Sequence, residues 1–371
     1  MTASRRTLSQ RLQRAFVVAL CGVPAPVARL LARPPVNRAG ERMAPDVAML
    51  MKLTAAGNDY SDLPAAEARK VIETDAAVFA DRVAPCAVEQ EVEIHSGLLA
   101  TRYSSGKPGR GLILFFHGGG FVLGSRASYA APARMFAHGT GADVLSVEYR
   151  LAPEDPFPAA HEDALAAWQY AVEHAESWGL DPNRIVVAGE SAGGNIAAVL
   201  CQQVRGRSVQ PLLQVLVQPV TDISVRRPSQ DEFAGSPALS AKQIDWFMGH
   251  YLPAGTDQHD PLLCPLLSDD LSGLPDAIVA VAGFDPLRDD ALAYAAALLE
   301  SGVRVDLIRE ERLVHGYLSF TAVSRSSKEA TERLVAAVAA ALRDREARPL
   351  RLVDRTAQAK SQRPNPERSA R

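Results

Sequence analysis

The chain has 371 residues, 47% hydrophobic and 22% charged, which is enough for a large α/β unit with an insertion or cap. A net charge of −3 removes any whole-chain electrostatic case for nucleic-acid binding. Four cysteines, Cys21, Cys86, Cys201 and Cys264, are scattered without ligand spacing, so they read as small buried hydrophobes in a reducing compartment, not as a disulfide framework.

Residues 1–40 hold seven arginines and no acidic residue, around a short apolar run at 15–23. Two readings stand here. One is a secretory signal, with a basic n-region before an apolar h-region. The other is an amphipathic helix that docks on the protein or makes peripheral contact with a membrane. The run is too short to span a bilayer, and no small-x-small cleavage pattern follows. A cytoplasmic location is therefore expected, with secretion or membrane-surface association as the alternatives. Residues 1–43 are assigned as a basic, helical N-terminal segment.

Residues 44–80 keep a helical pattern ahead of the first strand, and 44–82 is taken as the N-terminal part of a cap. At 83–95, Val88, Val92 and Ile94 alternate with Glu and Gln, which predicts that the sheet opens with antiparallel strands. Apolar runs at 112–116, 143–147, 185–188, 212–217, 277–282 and 303–308 predict buried strands. Helical patterns over 159–178, 192–204 and 291–300 lie between them, as in a largely parallel sheet with crossover helices. Residues 226–252 interrupt this alternation with Phe233, Trp246, Phe247 and Tyr251 among polar residues. They are either ordinary surface helix or, as the aromatic content favours, a pocket wall. The expected division is a core at 83–225 and 257–347, a cap insertion at 226–256, and a disordered tail rich in Arg, Pro, Gln and Ser at 348–371.

Four motifs carry chemistry. Gly189-Glu190-Ser191-Ala192-Gly193-Gly194 stands between a predicted strand and a predicted helix. G-x-S-x-G in that setting is a nucleophile elbow: a tight turn needs residues without bulk around the serine, and it aims a helix N-terminus at the reacting carbonyl. His117-Gly118-Gly119-Gly120-Phe121 follows a strand, and its glycines let backbone N–H groups approach a developing oxyanion. A phosphate loop is the rival, but neither G-x-G-x-x-G nor G-K-[ST] is present. Asp285 follows the strand at 277–282, where an acid faces the site in such sheets; helix N-capping is its other reading, and Asp289 and Asp290 read as first-turn dipole partners. His315 follows a further strand and loop, with a surface-loop histidine as its other reading. Ser, Asp, His is the chain order of a triad in an α/β-hydrolase. No H-E-x-x-H or Cys/His cluster suggests a metal, and no cofactor is implied.

Together with Tyr149-Arg150-Leu151-Ala152-Pro153-Glu154, Asp285-Pro286-Leu287-Arg288-Asp289 and His315-Gly316, these motifs resemble the microbial esterase branch of the hormone-sensitive-lipase-like family over residues 112–320. The resemblance implies an α/β-hydrolase fold, with a mostly parallel central sheet, helices on both faces and a helical cap. It implies a catalytic Ser191, Asp285 and His315, and an oxyanion hole from the glycine run Gly118, Gly119 and Gly120, chiefly the last two, with Ala192. Short- to medium-chain acyl esters are the implied substrates, and Phe121, Glu190 and Trp246 are the substrate-pocket candidates. The family often has Asp at the position of Glu190 and Trp at that of Phe121. The readings kept beside esterase are a non-catalytic ligand receptor, which would lack the catalytic histidine, an amidase or lactonase, and a membrane-surface lipid esterase. An oligomer is compatible with the sequence.

Overall fold

A computed structural model describes residues 8–346 of the chain, apart from residues 56, 58 and 108. The expected tail at 348–371 lies outside the described residues. The strands are β1 (Val88–His95), β2 (Leu98–Ser104), β3 (Leu112–Phe116), β4 (Asp143–Glu148), β5 (Ile185–Glu190), β6 (Leu213–Val217), β7 (Ala277–Phe284) and β8 (Val305–Val314). They form one sheet in the order β1-β2-β4-β3-β5-β6-β7-β8. β2 runs antiparallel to both β1 and β4, and all pairings from β4 and β3 through to β8 are parallel.

The helices are α1 (Leu8–Cys21), α2 (Ala25–Ala32), α3 (Pro45–Thr54), α4 (Ala65–Phe79), α5 (Ala130–Thr140), α6 (Ala159–His174), α7 (Ala192–Gln203), α8 (Pro228–Glu232), α9 (Ala241–Tyr251), α10 (Arg288–Glu300) and α11 (Arg325–Glu346). β3 shows why the central strands read as unbroken apolar runs. Leu112, Leu114 and Phe116 join one core with residues of α6, α7 and α10, whereas Ile113 and Phe115 join the other, with residues of α3, α5 and α11. A parallel sheet covered on both faces needs apolar residues at both parities.

The structure departs from the expected elements at the sheet's ends. β1 begins only at Val88, and β2 is an additional strand. β8 runs six residues beyond the apolar stretch, to Val314, because an edge strand tolerates the solvent-facing charges of Arg309, Glu311 and Arg312. α6 stops at His174, and a separate 3-10 turn covers Glu176–Trp178 before Gly179. All four cysteines are buried and free.

The two helical segments outside the strand–helix alternation, at 44–80 and 226–252, pack against each other. α9 starts from a reciprocal cap, in which the Ser240 hydroxyl accepts from Gln243 N–H and the Gln243 amide oxygen from Ser240 N–H, at 3.2 and 2.9 Å. Its Ile244, Phe247, Met248 and Tyr251 recur at helical spacing. Tyr60, in the turn between α3 and α4, packs on Trp246 and Phe247 with ring centroids 5.9 Å apart in each case. Arg69 of α4 ties this layer to the core, donating to Val122 O, Ala152 O and the Glu154 carboxylate at 2.8, 2.7 and 2.6 Å.

Candidate active site

Only Ser191 separates β5 from α7, and it turns the chain with φ 57° and ψ −118°. Holding a non-glycine residue there costs about 1–3 kcal/mol, which the surrounding contacts offset. Ser191 N–H donates to Val217 O at 2.8 Å, and Ser191 O accepts from Asn195 N–H at 3.0 Å. A side chain at Gly189 would run into the Gly193 carbonyl, so the turn admits no bulk. The result is a hydroxyl raised above the sheet at the positive end of a helix.

Ser191, Asp285 and His315 each follow the last residue of a strand, β5, β7 and β8 respectively. Parallel neighbours thus bring three distant positions to one carboxyl edge. The Ser191 hydroxyl lies 3.0 Å from His315 Nε2, and His315 Nδ1 lies 3.0 Å from both carboxylate oxygens of Asp285. The carboxylate assigns the proton to Nδ1, leaving Nε2 to accept from the serine. Asp285 is wholly buried, whereas Ser191 and His315 retain 7% and 8% exposure, so the hydroxyl and the imidazole reach the cavity while the carboxylate bonded to the ring is dry. Burial pushes the His315 imidazole down, but the Asp285 charge and hydrogen bond, joined by Glu190, outweigh it and hold His315 above its ordinary value.

Asp285 meets both of its sequence readings. Its Oδ1 also accepts from Leu287 N–H at 2.8 Å, ahead of α10, so one carboxylate organises the helix entry and the histidine. Its Oδ2 accepts from the Gln218 side-chain amide at 2.8 Å. Gln218 is fully buried at φ 49°, just past β6, and its amide also donates to Val314 O and accepts from Gly316 N–H, at 3.1 and 2.8 Å. This side chain clamps the residues on either side of His315 to the acid that orients it, and nothing in the sequence singled it out. Asp290, expected as a dipole partner, is in the first turn of α10, where it also accepts from Thr221 N–H at 2.6 Å and pairs with Arg227 at 3.2 Å.

The glycine run is held by His117, whose ring stacks on Tyr149 with centroids 4.2 Å apart and whose Nδ1 donates to Gly118 O at 2.9 Å. Tyr149 in turn donates to His117 O at 2.8 Å, which gives the Tyr149–Glu154 motif a structural task. Burial pushes the His117 imidazole down to about 4, so it stays neutral. The N–H groups of Gly119 and Gly120 donate to no acceptor among the described residues, and Ala192 N–H opens α7 without an intrahelical partner. Gly118 faces the Ser191 β-carbon. Gly120 sits at φ 59° with Phe247 packed so closely above it that any side chain would strike the ring. Gly118, Gly119 and Gly120 line the same cavity as Ser191, and Ala192 follows Ser191 in the chain.

A cavity of about 1070 Å³ lies above Ser191 and His315. Its floor includes Gly118 to Phe121 and Glu190, and its roof includes Leu50, Tyr60, Ile72, Ile244, Phe247 and Met248. Of the three pocket candidates, Glu190 and Phe121 line it, the Phe121 ring stacking on Tyr251 at 4.0 Å between centroids. Trp246 is a correction: it is absent from the lining and packs against Tyr60, Phe247 and His250. One residue along a helix is a rotation of about 100°, so Phe247 takes the inward place expected of Trp246. Asp75 of α4 also lines the cavity, and burial pushes its carboxyl up to about 6.

Glu190, the neighbour of Ser191 in the chain, is buried and accepts from the Tyr129 hydroxyl at 2.6 Å. Burial pushes its carboxyl up, while Tyr129 and His315 pull it down less strongly. A negative Glu190 favours imidazolium, so it raises the pH below which His315 is protonated and unable to act as a base. In Glu190→Gln the acid limb of kcat/KM is expected to move to lower pH, with the Tyr129 hydrogen bond retained. A pH–rate profile checks it; an unmoved limb, or one moved upward, contradicts the coupling.

Among the described residues no group of three or more His, Cys, Asp or Glu side chains is placed to hold a metal ion. No single described helix is long and apolar enough to cross a membrane; α1 and α2 pass that test only as a pair bent by 99°.

A family model described as the alpha/beta hydrolase fold matches residues 113–319. The carboxylic ester hydrolase LipN of Mycobacterium tuberculosis is 43% identical over 238 residues, which span 62% of this chain and 63% of that relative. Ethyl acetate hydrolase of Pseudomonas putida is 35% identical over 318 residues, 80% of this chain and 97% of the relative. Among solved structures, ester-hydrolase EH1AB1 from the metagenome of Lake Arreo, complexed with a bipyridine phosphonate derivative, superposes with a TM-score of 0.76 at 34% identity, covering 80% of this chain and 98% of that one. The Pyrobaculum calidifontis esterase gives 0.74 at 30% identity, covering 85% and 100%.

Proposed function

This chain belongs to the α/β-hydrolase fold family, in its hormone-sensitive-lipase-like branch, and from that premise we propose that it is a serine carboxylester hydrolase acting on short- to medium-chain acyl esters. The observation that carries the proposal is the unbroken hydrogen-bonded line from Ser191 through His315 to Asp285, at the floor of a cavity with unpartnered N–H groups beside it. The ester-hydrolase names of the relatives support the same reaction class.

In the proposed mechanism His315 Nε2 takes the Ser191 proton as Oγ attacks the ester carbonyl carbon. The carbonyl π pair moves onto oxygen, where the N–H groups of Gly119, Gly120 and Ala192 receive it; one such donor is worth about 3 kcal/mol to the transition state. Asp285 holds the imidazole tautomer and stabilises the imidazolium. Collapse of the tetrahedral intermediate expels the alcohol, which takes its proton from His315 and leaves an acyl-serine. Water, deprotonated by His315, then attacks the acyl carbon, and Ser191 leaves with that proton. The helices over the cavity, α3, α4 and α9 with the residues between them, act as the cap.

A substrate panel tests this. Each acyl methylene that enters the apolar roof adds about 0.8 kcal/mol of burial until the cavity ends. kcat/KM for p-nitrophenyl esters is expected to rise at least about tenfold from acetyl to a maximum between butanoyl and octanoyl, and to fall again at hexadecanoyl. The matched anilides should turn over more slowly than the esters. Faster cleavage of the anilides would reassign the protein as an amidase, and absence of ester turnover across the panel would remove the reading.

A further inference from the structure

We propose that the outer face of α1 and α2 is a docking surface for an anionic phospholipid membrane, which sets the wall of the acyl cavity against the lipid.

The first observation is where the exposed apolar side chains lie. Among the described residues, seven of the ten large hydrophobics left exposed fall within residues 12–36. Leu12 and Phe16 stand one turn apart on α1 at 63% and 64% exposure, and Val27, Leu30 and Leu31 share a face of α2, Leu30 at 75%. These helices are docked, not loose. Val17 and Cys21 are buried beneath α1, Arg14 donates to Val78 O and Ala80 O at 2.8 and 2.6 Å, and Lys52 donates to Leu31 O at 2.9 Å. A firmly held element that keeps a large apolar face in water marks an interaction surface.

The second observation is charge. At the C-terminal end of α2 lies a cleft of about 430 Å³ whose lining includes Arg29, Arg33, Arg42 and Arg312 and no acidic residue. No described carboxylate pairs with any of the four; Arg42 and Arg312 each donate one N–H to a backbone carbonyl, of Pro34 and Arg42, and the other guanidinium donors can meet an anionic phosphate. A two-fold contact between copies would set this cationic face against itself, and nucleic acid would leave Phe16 and Leu30 uncovered. An anionic lipid surface satisfies both halves: headgroup phosphates for the arginines and acyl boundary for the apolar row. Each helix is too short to span a bilayer and the two meet at 99°, so they lie in the interface.

The third observation ties the surface to the site. Gln13 and Val17 of α1 line the same cavity as Ser191 and His315. One helix therefore carries the proposed lipid contact outside and the cavity wall inside. That the lipid delivers the ester rests on the esterase reading; the docking does not.

Co-sedimentation of the full chain, as wild type and Ser191→Ala, with vesicles of phosphatidylcholine alone or with roughly a third phosphatidylglycerol tests it. Both proteins should bind the anionic vesicles at least about tenfold more tightly than the neutral ones, less so in high salt. Phe16→Ser/Leu30→Ser should weaken that partition at least about tenfold, and Arg29→Gln/Arg33→Gln should weaken it and flatten its salt dependence. Thermal melts check that each variant is folded. No binding to anionic vesicles, equal binding to neutral ones, or unchanged binding by a folded Phe16→Ser/Leu30→Ser would overturn the proposal. So would a change from dimer to monomer in that variant without vesicle binding by the wild type. Vesicle binding with no ester turnover by the wild type would support docking while removing the esterase reading.

Discussion

Ser191→Ala is expected to lower kcat for p-nitrophenyl butanoate about a millionfold, to the level left by binding and oxyanion contacts alone. The size follows from the chemistry removed: without Oγ no acyl-enzyme forms, and water would have to attack from a position that His315 does not serve. The substitution takes away one hydroxyl and its 3.0 Å hydrogen bond to His315, and leaves the Ser191 backbone bonds to Val217 and Asn195 in place. The fold should therefore persist, and a thermal melt beside the kinetics separates lost chemistry from lost structure. Activity within about tenfold of wild type in a folded protein would place the nucleophile elsewhere.

Asp285→Asn carries the second large effect, a loss of about 10⁴ in kcat. Three donors converge on this carboxylate: His315 Nδ1–H, Leu287 N–H and the Gln218 amide. An asparagine offers one acceptor oxygen and an NH2 group, so in either orientation at least one buried donor faces another donor. Where the NH2 group faces Nδ1, His315 accommodates it by carrying its proton on Nε2, which then cannot accept from Ser191. The loss should fall on kcat more than on KM, because Asp285 is wholly buried. A loss below about tenfold would mean that the histidine tautomer is fixed by other contacts.

How much was legible in the sequence depended on whether a position answered to a local rule. The elbow was visible because the Ser191 turn excludes bulk at its neighbours, leaving Gly189, Gly193 and Gly194 in the chain. The central strands were visible because burial on both faces writes an unbroken apolar run, and Leu112–Phe116 was placed to the residue. The edges were less so: β8 is charged where it meets solvent, and β2 shows no clear alternation. Gln218 could not be found at all. Its role depends on Asp285 lying 67 positions and Gly316 lying 98 positions along the chain, and only the strand order brings them together. The aromatic content of 246 and 247 is legible in the sequence, but which ring turns inward is set by the rotation of α9. The basic, apolar character of residues 1–40 was plain, but that α1 both walls the cavity and faces water needed the packing of α1 on α4.

In the proposed mechanism Ser191, activated by His315, is the nucleophile. The most direct test of that role is intact-mass analysis and peptide mapping after exposure to a fluorophosphonate probe. One phosphonyl adduct per chain, on Ser191 and absent from the folded Ser191→Ala protein, is the predicted result. A folded wild-type protein that takes no adduct, or takes it on another residue, would remove Ser191 as the nucleophile.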